Sequence, residues 1–238
     1  MLRTVLFDLD DTLVDQESAA SAAAVAWAAE HGIHDASVPR RWRVISEVHY
    51  GRYQRRELTF SEQRRARVRE FLAVDVSDDD ADAIFAGYLR RYEAGWTLFD
   101  DAIPALRRAR AAGLTVAIFT NGNEDHQRHK LRLLRLEGEV DALIASSSLP
   151  AGKPDPRAFR GALQRIDARA QESLMVGNSL DQDVRGALRA GIDAILIDRS
   201  GENAPPDVPT VASLDELEFD ASPHPVRDGH AQGTTRPR

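Results

Sequence analysis

Thr4-Val5-Leu6-Phe7-Asp8-Leu9-Asp10-Asp11-Thr12 begins as an unbroken apolar run and ends in acids. A short run with no polar alternation is how a strand buried on both faces reads. Similar runs follow at 114–119, 142–145, 174–176 and 194–197. Helix-like stretches lie among them at 101–112, 124–136, 156–166 and 180–190. Pro156 opens one of these, and Gly113 and Gly191 close two others. This alternation predicts an α/β fold with a Rossmann-like parallel sheet.

Residues 15–98 break the rhythm. They read as helices at 18–30, 40–54, 61–72 and 80–93, with breaks at Gly32, Pro39, Gly51 and Asp78-Asp79-Asp80. The expected organisation is a core at 1–14 and 99–218, an all-helical insertion at 15–98, and a mobile tail at 219–238. Trp27, Trp42, Tyr88 and Trp96 are expected to pack as core. The many arginines of the insertion read mostly as solvated, with a few facing a cleft to meet an anion; 40–43 and 50–56 are the candidates.

Composition narrows the chemistry. The 238 residues contain no cysteine, which excludes disulfides, thiolate catalysis, zinc fingers and iron–sulfur sites. The net charge of −7 argues against general nucleic-acid binding. No stretch has the length and apolarity of a membrane span, and residues 1–8 enter a strand without the layout of a secretory signal. A cytoplasmic protein without membrane or nucleic-acid partners is expected. Only Lys130 and Lys153 among the 31 basic residues are lysine, so lysine chemistry has two candidates.

Polar clusters follow four of the apolar runs: Asp8 to Thr12, Thr120-Asn121-Gly122, Gly152-Lys153-Pro154-Asp155-Pro156, and Gly177-Asn178-Ser179 through Asp183. In an open parallel sheet, ligands bind outside the carboxyl ends of the strands, so these clusters converge. Asp8 and Asp10, at i and i+2, point to one side of an extended segment. A hard divalent cation such as Mg²⁺ relieves their repulsion, leaving one as nucleophile and the other as acid/base. The Thr120 hydroxyl and the backbone N–H groups of Asn121 and Gly122 suit phosphate oxygens. Lys153 can neutralise a phosphoryl group and the aspartates together. Asn178 and Asp183 could complete a metal site. His126 and His129 lack a third ligand nearby in sequence and read as a solvated helix face.

The ordered set resembles the four motifs of the haloacid dehalogenase-like (HAD) superfamily, across about 1–14 and 99–200. The insertion resembles that family's type 1 helical cap. The resemblance implies a Mg²⁺-dependent phosphohydrolase acting on a small phosphorylated metabolite. Asp8 would form an aspartyl-phosphate, with Asp10 as acid and then base. Thr120, Asn121 and Lys153 would hold the phosphoryl group. Asp8, the Asp10 carbonyl, Asn178 and Asp183 would hold the metal, with Asp183 taking the larger share because the family usually has aspartate at the position of Asn178.

Other readings remain within the fold. A 2-haloacid dehalogenase has asparagine in the fourth motif but lacks the second aspartate of the first, since halide needs no proton; Asp10 therefore favours phosphate. A phosphonate hydrolase would need a lysine in 15–98, and there is none. A phosphomutase and a non-catalytic regulatory domain stay open, as do the substrate and the oligomeric state.

Overall fold

The structure is a computed structural model that describes residues 1–201 and 205–219. Strands β1 (Thr4–Phe7), β2 (Thr115–Thr120), β3 (Ala142–Ala145), β4 (Ser173–Gly177), β5 (Asp193–Ile197) and β6 (Thr210–Val211) form one parallel sheet. Their order is β3-β2-β1-β4-β5-β6. The chain turns outward from β1 on both sides, so the switch point lies at its carboxyl end. Every residue of β1 is buried, as its apolar run requires. The two-residue β6 has no apolar run and is absent from the sequence expectation.

Four helices lie between β1 and the rest of the sheet: α1 (Gln16–Glu30), α2 (Val38–Gln54), α3 (Phe60–Leu72) and α4 (Asp78–Ala94). Asp15 caps α1 through Ser18 N–H, Thr59 and Glu62 form a reciprocal capping box on α3, and Ser77 caps α4. Two expected breaks are corrected. Gly51 lies inside α2, and Asp78-Asp79-Asp80 is the first turn of α4, where three carboxylates complement the helix dipole. The helices pack around aromatic rings: Trp42 is 5.0 Å from Trp27 and 4.6 Å from Tyr88, centre to centre.

The insertion leaves and returns side by side. Asp15 N–H donates to the Thr97 carbonyl at 2.9 Å, and Phe99 N–H to the Leu13 carbonyl at 3.0 Å. Beneath this crossing, Arg199 forms a bidentate pair with buried Asp101 and donates to the Thr12 carbonyl at 2.9 Å.

The remaining helices are α5 (Ala102–Ala111), α6 (Glu124–Leu133), α7 (Pro156–Arg165) and α8 (Gly186–Arg189). The helix expected over 180–190 is split. Leu180–Arg185 forms a wider π-helical turn ahead of α8, which places Asp183 under the end of β4. Phe219, expected to begin a mobile tail, packs edge-on against Phe7 at 6.4 Å. The remainder of that tail, 220–238, lies outside the described residues. No helix among the described residues is long and apolar enough to cross a membrane.

Candidate active site

Asp8, Asp10, Thr120, Asn121, Lys153, Asn178 and Asp183 all line one cavity of about 600 Å³ between the sheet ends and α1–α4. Each sequence candidate is therefore brought to the same place, but the pairing within it differs from expectation.

Lys153 is the hub. Its ammonium donates to Asp8 Oδ1 at 2.6 Å, to Asp183 Oδ1 at 2.6 Å and to the Phe119 carbonyl at 2.9 Å. Asn121 fixes its backbone from both sides: Oδ1 accepts from Lys153 N–H and Nδ2 donates to the Lys153 carbonyl, both at 2.8 Å. Gly152 is required there, because a Cβ would lie 2.8 Å from Asn121 Oδ1. Burial pulls the lysine's pKa down, but Asp183 and Asp8 outweigh it and hold the pKa above its usual value. Two carboxylates share one ammonium. Burial, with Asp183 adding repulsion, pushes Asp8 up to about 7 against the pull of Lys153.

Both oxygens of Asp183 have partners within the protein. Oδ1 serves Lys153, and Oδ2 accepts from Ser179 N–H at 3.0 Å. A Cβ at Gly177 would sit 2.3 Å from Asp183 Oδ2, so the strand must end in glycine for this carboxylate to tuck beneath it. In this arrangement Asp183 positions Lys153.

Two further residues complete the site: Lys130, the second of the two lysine candidates, and Gln127, which the sequence does not single out. Lys130, 1% exposed, pairs with Asp10 Oδ1 and lies 4.7 Å from the centre of the Trp96 ring. Buried Gln127 donates through Nε2 to Asp10 Oδ2 and to Thr120 Oγ1, both at 2.9 Å. Burial works against ionisation of Asp10, but Lys130 and Gln127 overcome it and hold the carboxyl below its usual range. Because Thr120 Oγ1 accepts from Gln127, its own O–H can be directed into the cavity. The available signal was spacing: Gln127 and Lys130 are three apart on one face of α6, shortly after Thr120.

His126 corrects the expectation of a solvated face. It sits 5.5 Å from the Trp96 ring and 5.7 Å from Phe60, and its Nε2 is buried without a hydrogen-bond partner. Burial, with Lys130 and Arg64 nearby, drops its pKa to about 3, so the ring is neutral at physiological pH. His129 is only partly buried.

Of the stretches 40–43 and 50–56 expected to face the cleft, Trp42, Arg43, Tyr50, Gly51 and Gln54 line the cavity, while most of their arginines have partners within the protein. Arg43 pairs with Glu17 at 2.8 Å, Arg55 pairs with Glu57 at 2.6 Å, and Arg56 donates to the Leu149 carbonyl at 2.5 Å. Tyr50 does face the cavity, and its hydroxyl donates to the Asn121 carbonyl at 3.0 Å.

Asp8 Oδ2 and Asn178 Oδ1 lie 3.4 and 3.3 Å from the same Thr12 hydroxyl, which also accepts from Asn178 N–H at 3.0 Å. The carboxylate and amide oxygens thus share the Thr12 hydroxyl as a neighbour, and both residues line the cavity. Among the described residues, no three His, Asp or Glu side chains are grouped to hold a metal. The two hard oxygens nevertheless suit a cation that takes few protein ligands and retains water, as Mg²⁺ does.

The family model for haloacid dehalogenase-like hydrolases matches residues 2–191. The chain is 41% identical over 110 residues to a phosphoserine phosphatase of Thermus thermophilus, covering 46% of this chain and 43% of that protein. It therefore spans less than half the length of that relative. It is 29% identical over 205 residues to a glyceraldehyde 3-phosphate phosphatase of Methanopyrus kandleri, covering 84% of this chain and 85% of that one. Among solved structures, a 2-haloacid dehalogenase of Pseudomonas syringae is similar with a TM-score of 0.66 and 27% identity, over 90% of this chain and 96% of that one.

Proposed function

The chain belongs to the haloacid dehalogenase-like hydrolase family, and from its site we propose that it is a phosphohydrolase that cleaves a small phosphate monoester through an aspartyl-phosphate. The observation that carries this reading is the second carboxylate, Asp10, lining the cavity with its own buried lysine. A halide leaves without a proton, whereas an alkoxide does not leave readily without one.

Asp8 attacks phosphorus, and the bond to the ester oxygen breaks. The Thr120 hydroxyl, the Asn121 backbone N–H and the Lys153 ammonium receive the phosphoryl oxygens. Asp10 is ionised at rest, so the proton for the departing oxygen comes from the Lys130 ammonium through Asp10. Asp10 then takes a proton from the water that attacks the phospho-aspartate and passes it back to the Lys130 amine, as phosphate leaves and Asp8 and the ion pair are restored. Asp8, the Asp10 carbonyl and Asn178 would hold Mg²⁺, which when bound neutralises charge on the transferring group.

The test is hydrolysis of p-nitrophenyl phosphate with Mg²⁺ added and chelated, set beside halide release from 2-chloropropionate. Mg²⁺-dependent phosphate release without halide release supports the reading. Halide release without phosphate release overturns it in favour of a dehalogenase, the alternative to which Asn178 lends weight.

Two variants probe the parts. In Asn178→Asp, a second charge joins Asp8 beside the cation, and calorimetric Mg²⁺ affinity is expected to rise by about tenfold. An unchanged or lower affinity would place the metal elsewhere. Lys130→Met is expected to lower kcat on an alkyl phosphate by roughly 10²-fold, and by much less on p-nitrophenyl phosphate, whose phenolate leaves unaided. Equal losses on both substrates would reduce Lys130 to a packing role.

A further inference from the structure

Helix α3 carries Arg64, Arg65, Arg67 and Arg69, and they divide into two groups. Arg65 pairs with Asp78 and Asp82, and Arg69 with Asp78, at 2.5 to 2.6 Å. Arg64 and Arg67, three apart and so on one face, line the cavity. Among the described residues, neither makes an ion pair with a carboxylate.

Both are half-buried against aromatic rings. The Arg64 guanidinium lies 4.1 Å from the centre of Phe60 and 5.2 Å from Phe85; that of Arg67 lies 4.5 Å from Trp42 and 5.3 Å from Phe85. Among the described residues, the hydrogen-bond partners of Arg67 are neutral, the Gln63 amide oxygen at 3.5 Å and the Tyr88 hydroxyl, and its Nε is buried with none. Burial lowers the pKa of both guanidinium groups, so desolvation is not fully offset. Burying a charge without its counter-ion is unfavourable, and this chain has carboxylates in excess with which to avoid it.

A continuous wall connects these arginines to the reacting end. Arg64 covers Phe60, Phe60 meets His126 at 5.7 Å, His126 meets Trp96 at 5.5 Å, and Trp96 faces Lys130, which holds Asp10. Arg64 and Arg67 thus look into the same space as Asp8 from the helical side.

We propose that Arg64 and Arg67 bind a second oxyanion of the substrate, a carboxylate or a second phosphate, borne on the part of the molecule remote from the phosphoryl group undergoing transfer. This deepens the phosphohydrolase reading and rests on it for the phosphoryl end. The planar guanidinium fork suits either oxyanion, and the rings beneath hold the forks in place.

The experiment is calorimetric titration of the full chain, with Mg²⁺ present, against three series matched in chain length: alkylphosphonates, ω-phosphonocarboxylates and α,ω-bisphosphonates. At the matching length, a doubly anionic probe is expected to bind about tenfold or more tightly than the alkylphosphonate. The better of the two doubly anionic series identifies the second group. Arg64→Met and Arg67→Met should each remove most of this preference while leaving alkylphosphonate affinity unchanged. Arg67→Lys, which keeps the charge in the aromatic cluster, should retain part of it and guards against a misfolded Arg67→Met. No preference at any length, or a preference that survives in both methionine variants, overturns the inference. An arginine-dependent preference in a protein that does not hydrolyse p-nitrophenyl phosphate overturns the phosphatase reading and leaves the oxyanion site standing.

Discussion

Replacing Asp8 by asparagine is expected to reduce phosphate-ester hydrolysis on the order of 10⁴-fold or more, the scale seen when a nucleophile is removed. The change is nearly isosteric. The asparagine oxygen can still accept from Lys153, so the hub beneath the cavity keeps its shape. It also removes a carboxylate whose charged form is disfavoured, since Asp8 is pushed up to about 7 by burial. The melting temperature should therefore hold or rise in the absence of Mg²⁺. Loss of turnover with retained melting separates lost chemistry from lost folding, and residual activity within about tenfold of the parent would remove Asp8 from the nucleophile's role.

Lys153→Met should be more damaging to the protein as a whole. The substitution strips the shared cation from Asp8 and from Asp183, which is 1% exposed. Removing one partner of a buried ion pair typically costs about 3–5 kcal/mol, so a large fall in melting temperature should accompany the loss of activity. The pH dependence has a defined sign. A carboxyl whose folded pKa is raised from 3.8 to about 7 binds more protons folded than unfolded between those values. Its contribution to stability is present at low pH and lost as pH rises through about 7. Without the lysine this slope should steepen, so chelated Lys153→Met should melt appreciably higher at pH 5 than at pH 8. A variant insensitive to pH in this window would contradict the shared-cation arrangement.

The sheet was largely legible because β1, β2, β4 and β5 are buried apolar runs, and the site because polar residues follow those runs at the carboxyl edge. β6 escaped notice because two residues carry no periodic signal. Lys130 stands among the lysine candidates with no assigned partner, and Gln127 is not singled out, for a different reason. Their importance depends on which way α6 turns relative to Asp10, a tertiary fact that local spacing suggests but does not decide. His126 was misread because a polar ring on a charged helix looks solvated until Phe60, Tyr92 and Trp96 are seen to close over it. Arg64 and Arg67 were hidden among similar neighbours, since α3 alternates arginines that meet acids with arginines that do not. Asp183 lies in the expected cavity, where the π-helical turn brings it to Lys153, a partner that the sequence does not indicate.

The crossing at 13–15 and 97–99 has a mechanical consequence. The four helices join the sheet covalently through two adjacent segments, and single hydrogen bonds tie them across the cavity, among them Tyr50 to the Asn121 carbonyl and Arg56 to the Leu149 carbonyl. A molecule gripped by the arginines at one end and by the aspartates at the other would add a further tie between the two halves, one that a shorter molecule lacking the distal oxyanion would not supply.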